Sequence, residues 1–221
     1  MDTERLIRTL AGQVQPVRPL RRPWRRTLAW TAIGAVYLMG LVMLVPLRND
    51  LDARIQDPWF LLEQAAALLT GLTAAVAAFA TIVPGHRRRV VAWPIAAAAV
   101  WIGIVGVGAF LELGRSGAAF LFEQADWGCV GTILAVASVP AVVMGAMLRR
   151  GAPLSPHLTA ALGGLAAAGL ANLGICLVHP HSSSAVLLVW HCGTVLAVAA
   201  LAGAAGGQLL SWPARRLAES S

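Results

Sequence analysis

Six runs of about 20 apolar residues divide this 221-residue chain, at approximately 27–47, 59–84, 90–112, 127–148, 157–178 and 185–210. A bilayer's hydrocarbon core is roughly 30 Å thick, and a helix rising about 1.5 Å per residue needs about 20 apolar residues to cross it. In lipid only a helix or a closed barrel satisfies every backbone N–H and C=O, and runs this long are helices. Composition agrees: 58% hydrophobic residues, 12% charged residues and a mean hydropathy of +0.72 are too apolar for a soluble domain of this size. The expected fold class is an all-α integral membrane protein with six transmembrane helices. The connections are short, so none holds a core of its own. The first apolar run begins only after residue 26 and lacks a small-residue cleavage site, so no removable signal peptide is expected.

Arginine placement orients the helices. The basic excess is 17 arginines and no lysine. Arg5, Arg8, Arg18, Arg21, Arg22, Arg25, Arg26, Arg87, Arg88, Arg89, Arg149, Arg150, Arg215 and Arg216 fall on one side of a six-span arrangement. Arg48, Arg54 and Arg115 fall on the other. The positive-inside rule then places both termini in the cytoplasm. Trp24, Trp93 and Trp212 fit the inner interface, Trp59 and Trp127 the outer one. A pI near 11.1 otherwise suggests nucleic acid. Clusters that alternate with apolar runs read as topology instead, and no direct nucleic-acid contact is expected. The organisation is a cytoplasmic tail at 1–26, a membrane domain at 27–212 and a second cytoplasmic tail at 213–221. Gly203 and Gly207, with Ala199 a turn earlier, and Gly164 and Gly169 mark expected close helix contacts.

The N-terminal tail carries the one soluble element. In "MDTERLIRTLAGQV", Asp2 or Thr3 can cap a helix and Glu4 favours its first turn. Leu6, Ile7, Leu10, Ala11 and Val14 recur at helical spacing and form one apolar stripe. The tail has no core for that stripe, so it lies on the membrane or docks into a partner's groove. Pro16, Pro19 and Pro23 make the following segment an expected extended tether to the first membrane helix. Its arginines suit an acidic lipid or an acidic protein surface as well as topology.

Soft ligands gather on the opposite side. "NLGICLVHPHSSSAVLLVWHCG" holds two of the three cysteines and three of the five histidines. Cys176 ends helix five, His179 and His181 form the loop, and His191 and Cys192 lie about 10 Å deeper in helix six. Cys129 opens helix four on the same side, with Asp126 as its expected N-cap. Cys129 and Cys176 share a depth, so they are the better pair for a disulfide or a shared ligand, if their Cα atoms approach to roughly 4.4–6.8 Å. Inert packing competes for each thiol, and a helix–helix hydrogen bond competes for His191. Any metal would be held transiently, with Cys129, Cys176, His179 and His181 as candidates and a soft ion such as zinc or cadmium as the guest; no resident cofactor is expected. Glu63 and Glu112 stand near the outer helix ends, where hydration is expected. H-E-x-x-H, G-x-S-x-G, P-loop and C-x-x-C motifs are absent, so the chain does not read as an enzyme. A small metal or solute permease is the runner-up, but Thr70, Thr73, Asn172 and Gln208 are scattered. A membrane redox enzyme with bound quinone or haem is the third reading.

Four stretches in order resemble a known family: "LIRTLAGQVQPVRPLRRP", "DPWFLLEQAAALLTG", "DWGCVGTILAVASVPAVVMGAMLRRGAP" and "GICLVHPH…LLVWH". Together they resemble the NrsF-type (negative regulator of sigma F) inner-membrane anti-sigma factors of Gram-negative bacteria. The resemblance implies a cytoplasmic N-terminal segment that sequesters an extracytoplasmic-function sigma factor. Leu6, Ile7, Leu10, Ala11, Val14, Arg18, Arg21 and Arg22 would supply that surface. It further implies that Cys129 and Cys176 are sensor thiols for oxidative or metal stress. Cys192 has no counterpart in the pattern, and the doubled histidine leaves additional ligands open.

Overall fold

A computed structural model describes residues 3–13, 20–87, 89–116, 127–151, 153–178 and 183–210. For Leu10, Gln13, Ser116, Trp127 and Cys129 only the backbone is described. Helices account for most of these residues, with no strand among them. A short α1 (Thr3–Gln13) precedes the first long helix α2 (Pro23–Leu44). A five-residue α3 (Leu51–Ile55) then leads into α4 (Pro58–Thr81), α5 (Arg89–Ser116), α6 (Trp127–Leu148) and α7 (Pro156–Val178). The last span, Ser184–Ala204, is composite. It consists of α8 (Ser184–Val186), a π-helical stretch (Leu187–Cys192) and α9 (Gly193–Ala204), and a final turn α10 (Gly206–Leu209) follows. Six helices are long and apolar enough to cross a membrane, as the sequence requires.

The first span starts earlier than expected. Pro23 is the first residue of α2. Proline tolerates that position because its missing N–H is one of the orphan donors and its fixed φ suits the first turn. The expected tether therefore stops at Arg22, and Trp24, Arg25 and Arg26 ride on the membrane helix itself. Asp57 caps α4, accepting from the Trp59 amide at 2.9 Å with Pro58 at the first helical position.

Helix α7 is the hub. In its most apolar window 72% of residues are buried, against 17% for α2, which places α7 at the centre and α2 at the edge. The reason is compositional: "PHLTAALGGLAAAGLANLGICLV" is small or apolar on every side, so neighbours approach all round. A Cβ on Gly169 would stand 3.3 Å from the Cα of Gly71 on α4. One on Gly164 would stand 2.8 Å from the Cβ of Ala202 on α9, and one on Gly203 3.1 Å from that of Ala161 on α7. Gly164, Gly169 and Gly203, singled out in the sequence, thus sit at close helix contacts, whereas a Cβ on Gly207 would meet the His157 ring at 3.4 Å. On α2 and α6, Val36 and Val142 point outward at more than 70% exposure, as helices facing hydrocarbon do. Trp30 of α2 faces inward instead: it is buried and donates its indole N–H to the Pro140 carbonyl of α6 at 3.0 Å.

Candidate functional site

At the rim opposite the N-terminus two helix ends come together. Helix α7 ends at Val178 and the last span begins at Ser184. The carbonyls that end one helix and the amides that start the other need partners from elsewhere. Two charged side chains, Arg48 and Glu112, provide them, and a third, Glu63, takes the Ser184 hydroxyl.

Arg48, just past α2, closes the end of α7. Its side chain is fully buried. Its Nη1 donates to the Cys176 carbonyl at 3.3 Å, and its own amide donates to the Leu177 carbonyl at 3.1 Å. Nε and Nη2 donate to the Asp50 carboxylate at 2.6 and 2.7 Å. A guanidinium suits the negative end of a helix, and the fork geometry matches a carboxylate. The hydrogen bond from Arg48 holds the Asp50 carboxyl well below the usual range, at about 2.

Two carboxylates open the last span. Glu112 of α5 accepts from the amides of Ser184 and Ala185 at 3.1 and 3.0 Å, so a distant residue does the work of an N-cap. Ser183 adds its own hydroxyl to the Val186 amide. Glu63 of α4 accepts from the Ser184 hydroxyl at 2.8 Å and from the Trp59 indole at 3.1 Å. The expected hydration fails for Glu63, which is only 5% exposed. Closing α8 over α4 and α5 removes it from the interface, and two hydrogen bonds replace water. Gly108 makes the approach possible: a Cβ there would fall 2.5 Å from the Ser184 hydroxyl.

The thiols sit behind this rim. Cys176 and Cys192 are both buried, in one apolar cluster with Phe60, Trp101 and Leu187. The structure thus brings Cys192, the cysteine least favoured by sequence, into the surroundings of Cys176. Cys129 lies in the first turn of α6, and its side chain is outside the described residues. One turn further, Ile133, Val136 and Ala137 pack with Ala171 and Ile175 of α7, so α6 and α7 are neighbours there. His179 and His181 also lie outside the described residues. His191 is fully buried on the π-helical stretch, with Nδ1 2.7 Å from the Asn172 Oδ1 of α7. That is the helix–helix hydrogen bond its membrane depth calls for. Among the described residues no three His, Cys, Asp or Glu side chains gather to hold a metal. Thr70 and Thr73 donate back to their own helix carbonyls.

Sequence reasoning treated Arg48 as a topology marker and Glu112 as a hydrated carboxylate, and missed both as caps. A signal was present for Arg48, because "PLRND" sets an arginine at the end of an apolar run with an acid two residues on. None was present for Glu112, whose partners lie more than 70 residues away.

At the other end of the chain, Leu6 and Ile7 of α1 are 42% and 59% exposed, and Ala11 is exposed too. Arg21 and Arg22 are exposed, whereas Val14 and Arg18 lie outside the described residues.

No curated protein and no solved structure matches this chain. The family described as negative regulator of sigma F matches residues 10–212, from the end of the amphipathic helix through all six spans and the capped rim. The chain belongs to the negative regulator of sigma F (NrsF) family.

Proposed function

We propose that this protein is a membrane-bound anti-sigma factor whose cytoplasmic N-terminal segment sequesters an extracytoplasmic-function sigma factor and releases it when thiols on the far side meet oxidative or metal stress. The family supports the negative regulation of a sigma factor. The observation that carries the docking surface is α1: a helix whose Leu6 and Ile7 are exposed and belong to none of the buried clusters. Each would contribute roughly 1.5–3 kcal/mol if fully buried in a partner's groove. Leu6→Asp places a charge in that groove. The full-length variant should insert normally but lose the sigma factor on co-purification; retention of the sigma factor sinks the docking reading.

Burial of Cys176 makes sensing conditional on opening. The Arg48 and Glu112 caps hold the closed rim, and chemistry at the thiol traps the open one. Such a ligand acts only through its different affinity for the two packings. With a peroxide, the S–H bonds of Cys129 and Cys176 break and one S–S bond forms, while the peroxide takes both electrons and both protons and leaves as water. With a soft metal, the thiols lose protons to become ligands. One contact supports a route inward: Gly174, two residues before Cys176, faces Leu38 of α2, and α2 carries the tail.

A further inference from the structure

On the arginine-rich face, Leu20, Arg21, Arg25, Arg26, Ala29, Met147 and Arg150 line a cavity of about 700 Å³. Arg26 is its floor. It is 6% exposed, its Nη2 donates to the Met147 carbonyl in the last turn of α6, and its guanidinium lies 4.6 Å over the Phe79 ring. Its Nη1 is buried and has no hydrogen-bond partner among the described residues. Among the described residues none of the four arginines forms an ion pair either. A buried guanidinium with neighbouring positive charge and no carboxylate is costly, and the missing partner is an anion that can accept from several N–H groups at once.

We propose that this cavity binds the phosphodiester headgroup of an anionic phospholipid. A phosphate matches the guanidinium fork, and the cavity's position selects the lipid source. It lies at the first turn of a membrane-crossing helix, at the depth where headgroups stand. Trp24, exposed beside it and stacked 5.2 Å from the Arg25 guanidinium, is a residue of the membrane interface. Along α2, Leu28 and Ile33 continue as exposed apolar surface for acyl chains. Ala29 and Met147 make part of the wall apolar, as a lipid's glycerol end prefers and an acidic protein loop does not need. Four guanidinium groups suit a headgroup with two phosphodiesters better than one with a single phosphate. Arg21 thereby belongs to lipid rather than to the sigma-factor surface, and the proposal stands whether or not the thiols sense anything.

The test uses the full-length protein, delipidated in a neutral detergent. Thermal unfolding is followed while phosphatidylglycerol, diphosphatidylglycerol, phosphatidylethanolamine or inorganic phosphate is added. Protection is expected from the two anionic lipids, at lowest concentration for diphosphatidylglycerol. Because Arg26 is buried and its loss can unfold the protein, the informative variant is Arg21→Gln/Arg25→Gln/Arg150→Gln, whose three sites are exposed. It should fold and need at least about tenfold more anionic lipid for the same protection, a loss of the size one charged hydrogen bond supplies. Three results overturn the proposal: equal protection by phosphatidylethanolamine, protection by inorganic phosphate alone, or unchanged lipid response in the triple variant. A fourth also does so: loss of sigma-factor binding in the variant with lipid response intact, which assigns the arginines to the protein partner.

Discussion

Arg48 shows how much one side chain can carry. It satisfies a helix end, neutralises Asp50 and encloses the Cys176 carbonyl. Arg48→Met keeps the apolar stem and removes the donors. An orphaned buried carbonyl costs about 1–3 kcal/mol, so the variant should unfold at lower temperature in detergent. Alkylation of Cys176 should also accelerate, and an unchanged labelling rate would show that the cap does not guard the thiol. Asp50 adds a pH signature. Its carboxyl sits at about 2 against an ordinary 3.8. The folded value is the lower one, so the contribution is fully present above the ordinary value and disappears as pH falls through about 2. Amide exchange in residues 45–57, corrected for intrinsic rate, should stay protected down to about pH 4 and rise below it. Asp50→Asn should remove that transition.

At the scale of elements, small residues decide how closely helices meet. Gly206 opens α10 against the start of α7, where a Cβ would lie 2.6 Å from the Pro156 carbonyl oxygen and 2.7 Å from the His157 Cα. Backbone cannot yield as a side chain does, so Gly206→Ala should destabilise by about 1–3 kcal/mol. Gly131, on α6, has nothing within 4 Å of an added Cβ. Gly131→Ala should be neutral or gain up to about 1 kcal/mol from helix propensity. Equal thermal stability of the two variants would contradict the close α7–α10 approach. The last span is the element least regular in its backbone. Its π-helical turn carries His191 and Cys192, and such turns recur at functional sites. Apolar length announced this span, but nothing in its composition marks the π turn. Whether six residues wind as α or π depends on neighbours, here the Asn172–His191 hydrogen bond and the buried cluster around Cys176.

For the whole molecule, the proposal is that chemistry at one face changes binding at the other. Cys176→Ser should leave the sigma factor bound in resting cells and abolish its release under peroxide or cadmium, read as transcription from a sigma-dependent promoter. Release that persists in the variant would remove Cys176 from sensing. Apolar run length and the tail's stripe were enough to establish six spans, a helical class and an exposed amphipathic segment. These properties are local: each helix meets lipid or solvent by itself, and the bilayer demands the same length from every span. The N-terminal boundary shifted by four residues because Pro23 starts a helix as readily as it ends one. Which helix sits at the centre, which charges cap which ends, and which thiols share a cluster were settled by tertiary contact alone. Glu63, Glu112 and Arg48 read as rim charges in one dimension. Only when α4 and α5 converge on the start of the last span do the two carboxylates become its partners, and only when the chain past α2 meets the end of α7 does Arg48 close that end, because buried helix ends must be satisfied by whatever the packing brings within reach.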